Sequence, residues 1–294
     1  HRDLHSFPTR RSSDLWNNWQ GTYSSTFVQS VVGALAAWQF SPFLLIFFWN
    51  LTAFWAVREW MLLLGMRPGL LAPLVSMGLL FAALSGTANV FQSVFWVSGA
   101  ITYTSPLILL CASMAVLARA LRRTHDSLLS YTALIAGLAI GSAGFSPIYA
   151  VVQVAVFVLI FGALQLFAPP ALRQRGQILA GTAFIFALLG LLLMYTAPGT
   201  SIRSSRMDLD SSWISILLRA VLNTLLYFTY ALTVSSPWAI LFAFALGGWI
   251  GLRYVPLDAV QRRLAQQRSF RRIAWITAFI YALLFTAFFV PSFA

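Results

Sequence analysis

The sequence predicts an all-α, polytopic integral membrane protein, with about eight membrane-spanning helices and one or two interfacial helices on the outer face. Three observations predict it. Hydrophobic residues make up 60% of the chain and charged residues 9%, with a mean hydropathy of +0.80, whereas a soluble domain is roughly one-quarter charged. The apolar segments run unbroken for close to the ~20 residues that cross a hydrocarbon core at 1.5 Å per residue, without the two-residue alternation of barrel strands. The basic residues fall in short clusters between these segments, as cytoplasmic loops beside anionic lipid do.

The formal charge of +12 comes entirely from arginine, because the chain has no lysine. In a soluble protein such a charge would point to nucleic acid. Clusters that alternate with apolar runs exclude that partner and leave the lipid bilayer. The single cysteine, Cys111, lies inside an apolar run, so neither an intrachain disulfide nor a cysteine metal cluster is possible.

Taken in order, residues 1–15 are polar and share no periodicity with the rest of the chain. Phe7 to Leu15, FPTRRSSDL, resembles the translation of a common short-read sequencing adapter, so this segment is set apart as foreign to the fold. The expectation is that the natural N-terminus is missing, and that residues 16–294 form a single transmembrane domain. Residues 25–37, a short apolar stretch holding Gln29 and Ser30, read as an interfacial helix.

Arg119, Arg122 and Arg123 in RALRRTHD lie between two apolar runs and anchor the topology in the cytoplasm. Counting back, 102–118 rises to an outer loop around 89–99, 70–87 returns to a cytoplasmic turn holding Arg67, and 42–64 runs outward again with Arg58 and Glu59 near its inner end. Counting forward, 128–144 and 148–167 form a hairpin with GFSP as its outer turn. PPALRQRGQ, with Arg173 and Arg175, is cytoplasmic, and 178–197 leads out to PGTSIRSSRMDLDSS. Six arginines between 253 and 272 demand a cytoplasmic loop, and 273–290 makes the last crossing. Parity then allows only one of 213–234 and 237–252 to span. The former, with Arg219 and Asn223 a helical turn apart, is expected to lie on the outer face. No internal repeat of the inverted-transporter kind is present.

His125 is the only histidine outside residues 1–15, and GLAIGSAG lacks the lysine of a phosphate-binding loop, so a histidine metal site and a nucleotide loop are not expected. The outer face carries more chemistry. In PGTSIRSSRMDLD, Arg203 and Arg206 offer forked donors for phosphate oxygens, while Asp208 and Asp210 offer carboxylates for a base or a divalent cation. The ordinary alternative is a solvated loop whose charges pair with one another. NVFQSVFWVSGAITYTSP, with Trp96 and Tyr103, suits either a sugar-binding surface or an aromatic belt at the headgroup level.

The stretches WNNWQGTYSS, VFWVSGAITYTSP and APGTSIR occur in an order that resembles a family of largely uncharacterised bacterial membrane proteins, itself similar to the GT-C class of glycosyltransferases. The matching positions are Trp19, Gly21 and Tyr23; Trp96, Gly99, Tyr103 and Pro106; and Pro198, Gly199 and Arg203. Thr22, Thr200 and Pro147 depart from the family pattern. The resemblance implies a polyprenyl-phosphate sugar as donor, a cell-envelope glycan or lipid as acceptor, and a location in the bacterial inner membrane. It also implies an acidic catalytic base in the first outer loop, upstream of Trp16. On that reading Arg203 and, more weakly, Arg206 bind the lipid phosphate, and the catalytic residue is absent from this fragment. A membrane transporter or polysaccharide-export protein is the competing class, and would require ionisable residues near the bilayer midplane.

Overall fold

The computed structural model describes residues 22–34, 40–63, 65–85, 95–168 and 170–199. Among them are seven helices and no strand: α1 (Tyr23–Ala34), α2 (Ser41–Leu63), α3 (Leu71–Ser85), α4 (Val97–Arg122), α5 (Leu128–Ala143), α6 (Pro147–Phe167) and α7 (Pro170–Tyr195). Segments Ser41–Leu63, Val97–Arg122, Pro147–Gln165 and Leu172–Tyr195 are long and apolar enough to cross a membrane. Helix α5, with 16 residues, is one residue shorter than the expected span 128–144, and α3 covers the described part, 15 residues, of the expected span 70–87. The expected elements at 213–234, 237–252 and 273–290 lie outside the described residues.

Two boundaries differ from the expectation for a physical reason. Helix α4 begins at Val97 rather than near residue 102, so part of the expected outer loop is helical. Its polar first turns are satisfied locally, as when Thr102 Oγ1 donates to the Ser98 carbonyl at 2.8 Å. Helix α7 begins at Pro170, inside the expected loop PPALRQRGQ, because proline already holds the helical φ and lacks only an N–H that the first turn leaves unused.

The α2–α3 turn holds two glycines with positive φ, Gly65 and Gly69, and the first of them closes α2. Gly65 has φ +76°, its N–H bonds the Leu62 carbonyl at 3.1 Å, and the N–H of Met66 bonds the Met61 carbonyl at 2.8 Å. This is the paired closure of a Schellman motif, completed by the apolar contact of Met61 with Met66. The reversal sends α3 back along the bundle, so that α2 and α4 run parallel, side by side. Trp49, Ala53 and Ala56 of α2 are buried at the i, i+4, i+7 spacing of one face. Facing them, α4 is dense in alanine and serine from Ala112 to Ala120; small residues allow the close backbone approach that membrane helix pairs use.

The main core lies among α4, α5, α6 and α7, where Leu117, Leu121, Ile135, Phe157 and Leu179 meet. Outward faces remain apolar. Phe43, Phe47 and Leu51 of α2, Leu74, Met77 and Phe81 of α3, and Ile185, Leu188 and Leu192 of α7 are all exposed. Such a perimeter suits the hydrocarbon of a bilayer.

Every charged side chain among the described residues gathers at one end. Glu59 of α2 and Arg122 of α4 meet there at 2.6 Å, Arg67 sits in the α2–α3 turn, and Arg119, Arg123 and Asp126 flank the α4–α5 turn. Arg175 of α7 clasps that turn, donating to the carbonyls of Ala120 at 2.9 Å, Thr124 at 3.0 Å, Arg123 at 3.3 Å and Asp126 at 2.9 Å. A single guanidinium thus takes up carbonyls left open where α4 ends.

Candidate functional site opposite the arginine-rich end

Helix α5 is short, about 24 Å at 1.5 Å per residue, and its last carbonyls are capped by the first residues of α1. Tyr23 Oη donates to the Ile140 carbonyl at 2.6 Å and Ser24 Oγ to the Gly141 carbonyl at 2.6 Å. The Ser24 N–H reaches the Gly144 carbonyl at 3.1 Å. This approach requires glycine, since a Cβ at position 144 would stand 2.3 Å from Tyr23 Cε2. Burial pushes the Tyr23 phenol up to about 12, so it remains a donor throughout the neutral range.

Beside this cap runs a directed chain of hydrogen bonds. Gln29 Nε2 donates to Ser25 Oγ at 2.9 Å. Ser25 Oγ lies 2.9 Å from Thr102 Oγ1, and Thr102 gives its own proton to the Ser98 carbonyl, so Ser25 is the donor. Bonds aligned in this way polarise one another. They tie α1 to the first turns of α4. Deeper in, Gln153 is fully buried; its Oε1 accepts from Ser142 Oγ at 2.9 Å, and its Nε2 donates to the Ala139 carbonyl at 3.2 Å. That bond pair joins α5 to α6 just below the α5–α6 turn.

Trp96 and Tyr103 belong to the same end. Seven residues apart on or at the start of α4, they share one face, and they are 54% and 49% exposed. Two residues further, Ser105 Oγ is buried and has no hydrogen-bond partner among the described residues. An unmet buried hydroxyl costs about 1 to 3 kcal/mol, so this one is poised to accept a partner.

Of the residues that the sequence singles out, Tyr23, Trp96 and Tyr103 are therefore gathered at one end by α1 and α4. Tyr23 acts there as a cap on α5. Ala197, Pro198 and Gly199, the described part of APGTSIR, come after α7 at this end too. Trp19, Arg203, Arg206, Asp208 and Asp210 lie outside the described residues. The Gln29–Ser25–Thr102 chain and Gln153 escape sequence reasoning, because a lone serine, threonine or glutamine in an apolar run carries no motif. Among the described residues no group of three metal-ligating side chains comes together. No protein-family model, curated protein or solved structure matches the chain.

Proposed function

We infer that the chain is part of a GT-C-like membrane glycosyltransferase of about eight spans, moving a sugar from a polyprenyl-phosphate donor to a cell-envelope glycan or lipid. The reaction takes place at the outer face of the bacterial inner membrane. One observation carries this reading: the end opposite the Glu59–Arg122 pair presents exposed Trp96 and Tyr103 on one face of α4, beside a chain of hydroxyl and amide groups. Aromatic faces next to neutral hydrogen-bonding groups suit a sugar ring. The arginine-rich opposite end has the sign expected of a cytoplasmic face.

In the reaction, an acceptor hydroxyl attacks the anomeric carbon while an acidic base takes its proton. The bond from that carbon to the lipid phosphate oxygen breaks, and the phosphate leaves with the electron pair. Arg203 and Arg206 are the groups assigned to hold that departing charge. An export or carrier protein would instead place ionisable groups midway along the bundle; the described residues have theirs at one end.

The test is transfer from a polyprenyl-phosphate sugar by membranes holding the restored full-length protein, its acidic first outer loop included, with Trp96→Ala, Tyr103→Ala or Arg203→Ala. Loss of about tenfold to a hundredfold with Arg203→Ala is expected from removal of a charge-assisted bond. Parental rates in all three variants would remove the site. Single cysteines at Ser204 and Gln266, in a Cys111→Ala background, should label from opposite sides of the membrane.

A further inference from the structure

At the charged end, Glu59 is 1% exposed and holds two guanidinium groups. Arg58 gives its carboxylate one bond, from Nη1 at 2.9 Å. Arg122 gives two, from Nη2 at 2.6 Å and Nε at 3.2 Å. One negative and two positive charges leave a net positive charge. The arginines remain 44% and 29% exposed, with donors left over on both. A buried carboxylate therefore fixes two arginines side by side, facing outward.

Depth comes from a second feature. Trp55 and Trp60, on the same stretch of α2, are half-buried against the core, and tryptophan rings settle at the headgroup level. A third feature is the surface beneath Arg58. Leu51, Phe47, Leu44 and Phe40 are exposed, and their spacing from Arg58 places them on one face of α2 and its entry. From Arg58 to Phe47 the helix rises about 16 Å, the depth of one leaflet of a ~30 Å core.

We propose that Arg58 and Arg122 seat the phosphodiester of an anionic phospholipid, whose acyl chains lie along the Leu51–Phe47 face of α2. The phosphate takes the donors that Glu59 leaves free, and forked guanidinium donors suit its oxygens. A free phosphate would use the same donors and ignore the apolar track. A phospholipid uses both. This site is independent of the transferase reading, since it lies at the opposite end of the bundle.

The experiment is native mass spectrometry of the full chain released from mixed nanodiscs of phosphatidylglycerol and phosphatidylcholine. A parallel arm holds phosphatidylcholine alone with glycerol 3-phosphate in the buffer. Retention of phosphatidylglycerol about fivefold above phosphatidylcholine is expected, dropping to parity in Arg58→Gln. That variant leaves Glu59 with both bonds from Arg122, so the fold persists. Arg58→Lys should keep part of the preference. Arg67→Gln, in the α2–α3 turn, should keep all of it. Equal retention of the two lipids, an equal loss in Arg67→Gln, or binding of glycerol 3-phosphate by itself would each overturn the proposal.

Discussion

Replacing Arg122 by alanine removes two of the three hydrogen bonds on a carboxylate that is 1% exposed. Hydrogen bonds to charged groups contribute about 1.5 to 3 kcal/mol each. Breaking a buried pair from one side costs about 3 to 5 kcal/mol, because the remaining charge stays in a poor solvent. Arg58 keeps its bond and Arg122 is 29% exposed, so solvent and the surviving partner reduce the loss to about 2 to 4 kcal/mol. The double variant Glu59→Leu with Arg122→Met should be more stable than Arg122→Ala alone, since no buried charge is left behind. Unfolding in mixed micelles with increasing denaturing detergent, followed by tryptophan fluorescence, measures both, and the Glu59→Ala, Arg122→Ala cycle isolates the coupling. A cost below about 1 kcal/mol for Arg122→Ala, or strict additivity in the cycle, would refute the argument that this pair locks α2 to α4.

Arg175→Ala should destabilise the bundle by about 1 to 3 kcal/mol and speed amide exchange around Thr124 to Asp126; Arg175→Lys should restore less than half, because one ammonium cannot reach four carbonyls. Gly144→Ala should push α1 off the α5–α6 turn, since its Cβ would meet the Tyr23 ring at 2.3 Å and Ser24 Oγ at 2.5 Å; faster proteolysis within α1 checks it. The Tyr23 phenol, raised to about 12 from an unfolded value of about 10, adds stability that is complete below about pH 10 and is lost as pH rises to about 12. An alkaline unfolding series should show a larger loss in the parent than in Tyr23→Phe, and the difference reports this phenol.

The helical membrane class is legible in the sequence because hydropathy and run length are properties of composition that tertiary packing cannot override. Element positions are legible where an arginine cluster marks an end, as at Arg122, whereas Arg173 and Arg175 look like loop residues and lie within the first turns of α7. The start of α4 is not, because Ser98 and Thr102 look like loop residues until their bonds are traced to the helix itself and to Ser25. Charge alone puts Arg58 and Glu59 near the inner end of their helix, but the second partner of Glu59, Arg122, lies 63 residues away in sequence, and no local spacing announces it. Resemblance marks Tyr23 as a site residue, while its geometry adds the work of capping α5, a role that depends on Gly144 standing opposite.

The two ends of the bundle are held by bonds of different strength, and this decides which end can open. At the charged end, Glu59 and Arg175 make charge-assisted bonds, each worth about 1.5 to 3 kcal/mol. At the other end, α1 is held by Tyr23, Ser24 and Ser25 through neutral hydrogen bonds, each contributing about 0.5 to 1.5 kcal/mol. Helix α1 also leaves Phe27 and Val31 exposed. Local opening is drawn from the least stable contacts, so access to the end opposite the Glu59–Arg122 pair should come by release of α1 while α2, α4 and α7 stay locked by their arginines. Hydrogen exchange should then find the amides of Thr26 to Ser30 exchanging well before those of Ala115 to Leu121. The reverse order would mean that the charged end is the part that moves, and that the sugar site proposed beside α1 needs another entrance.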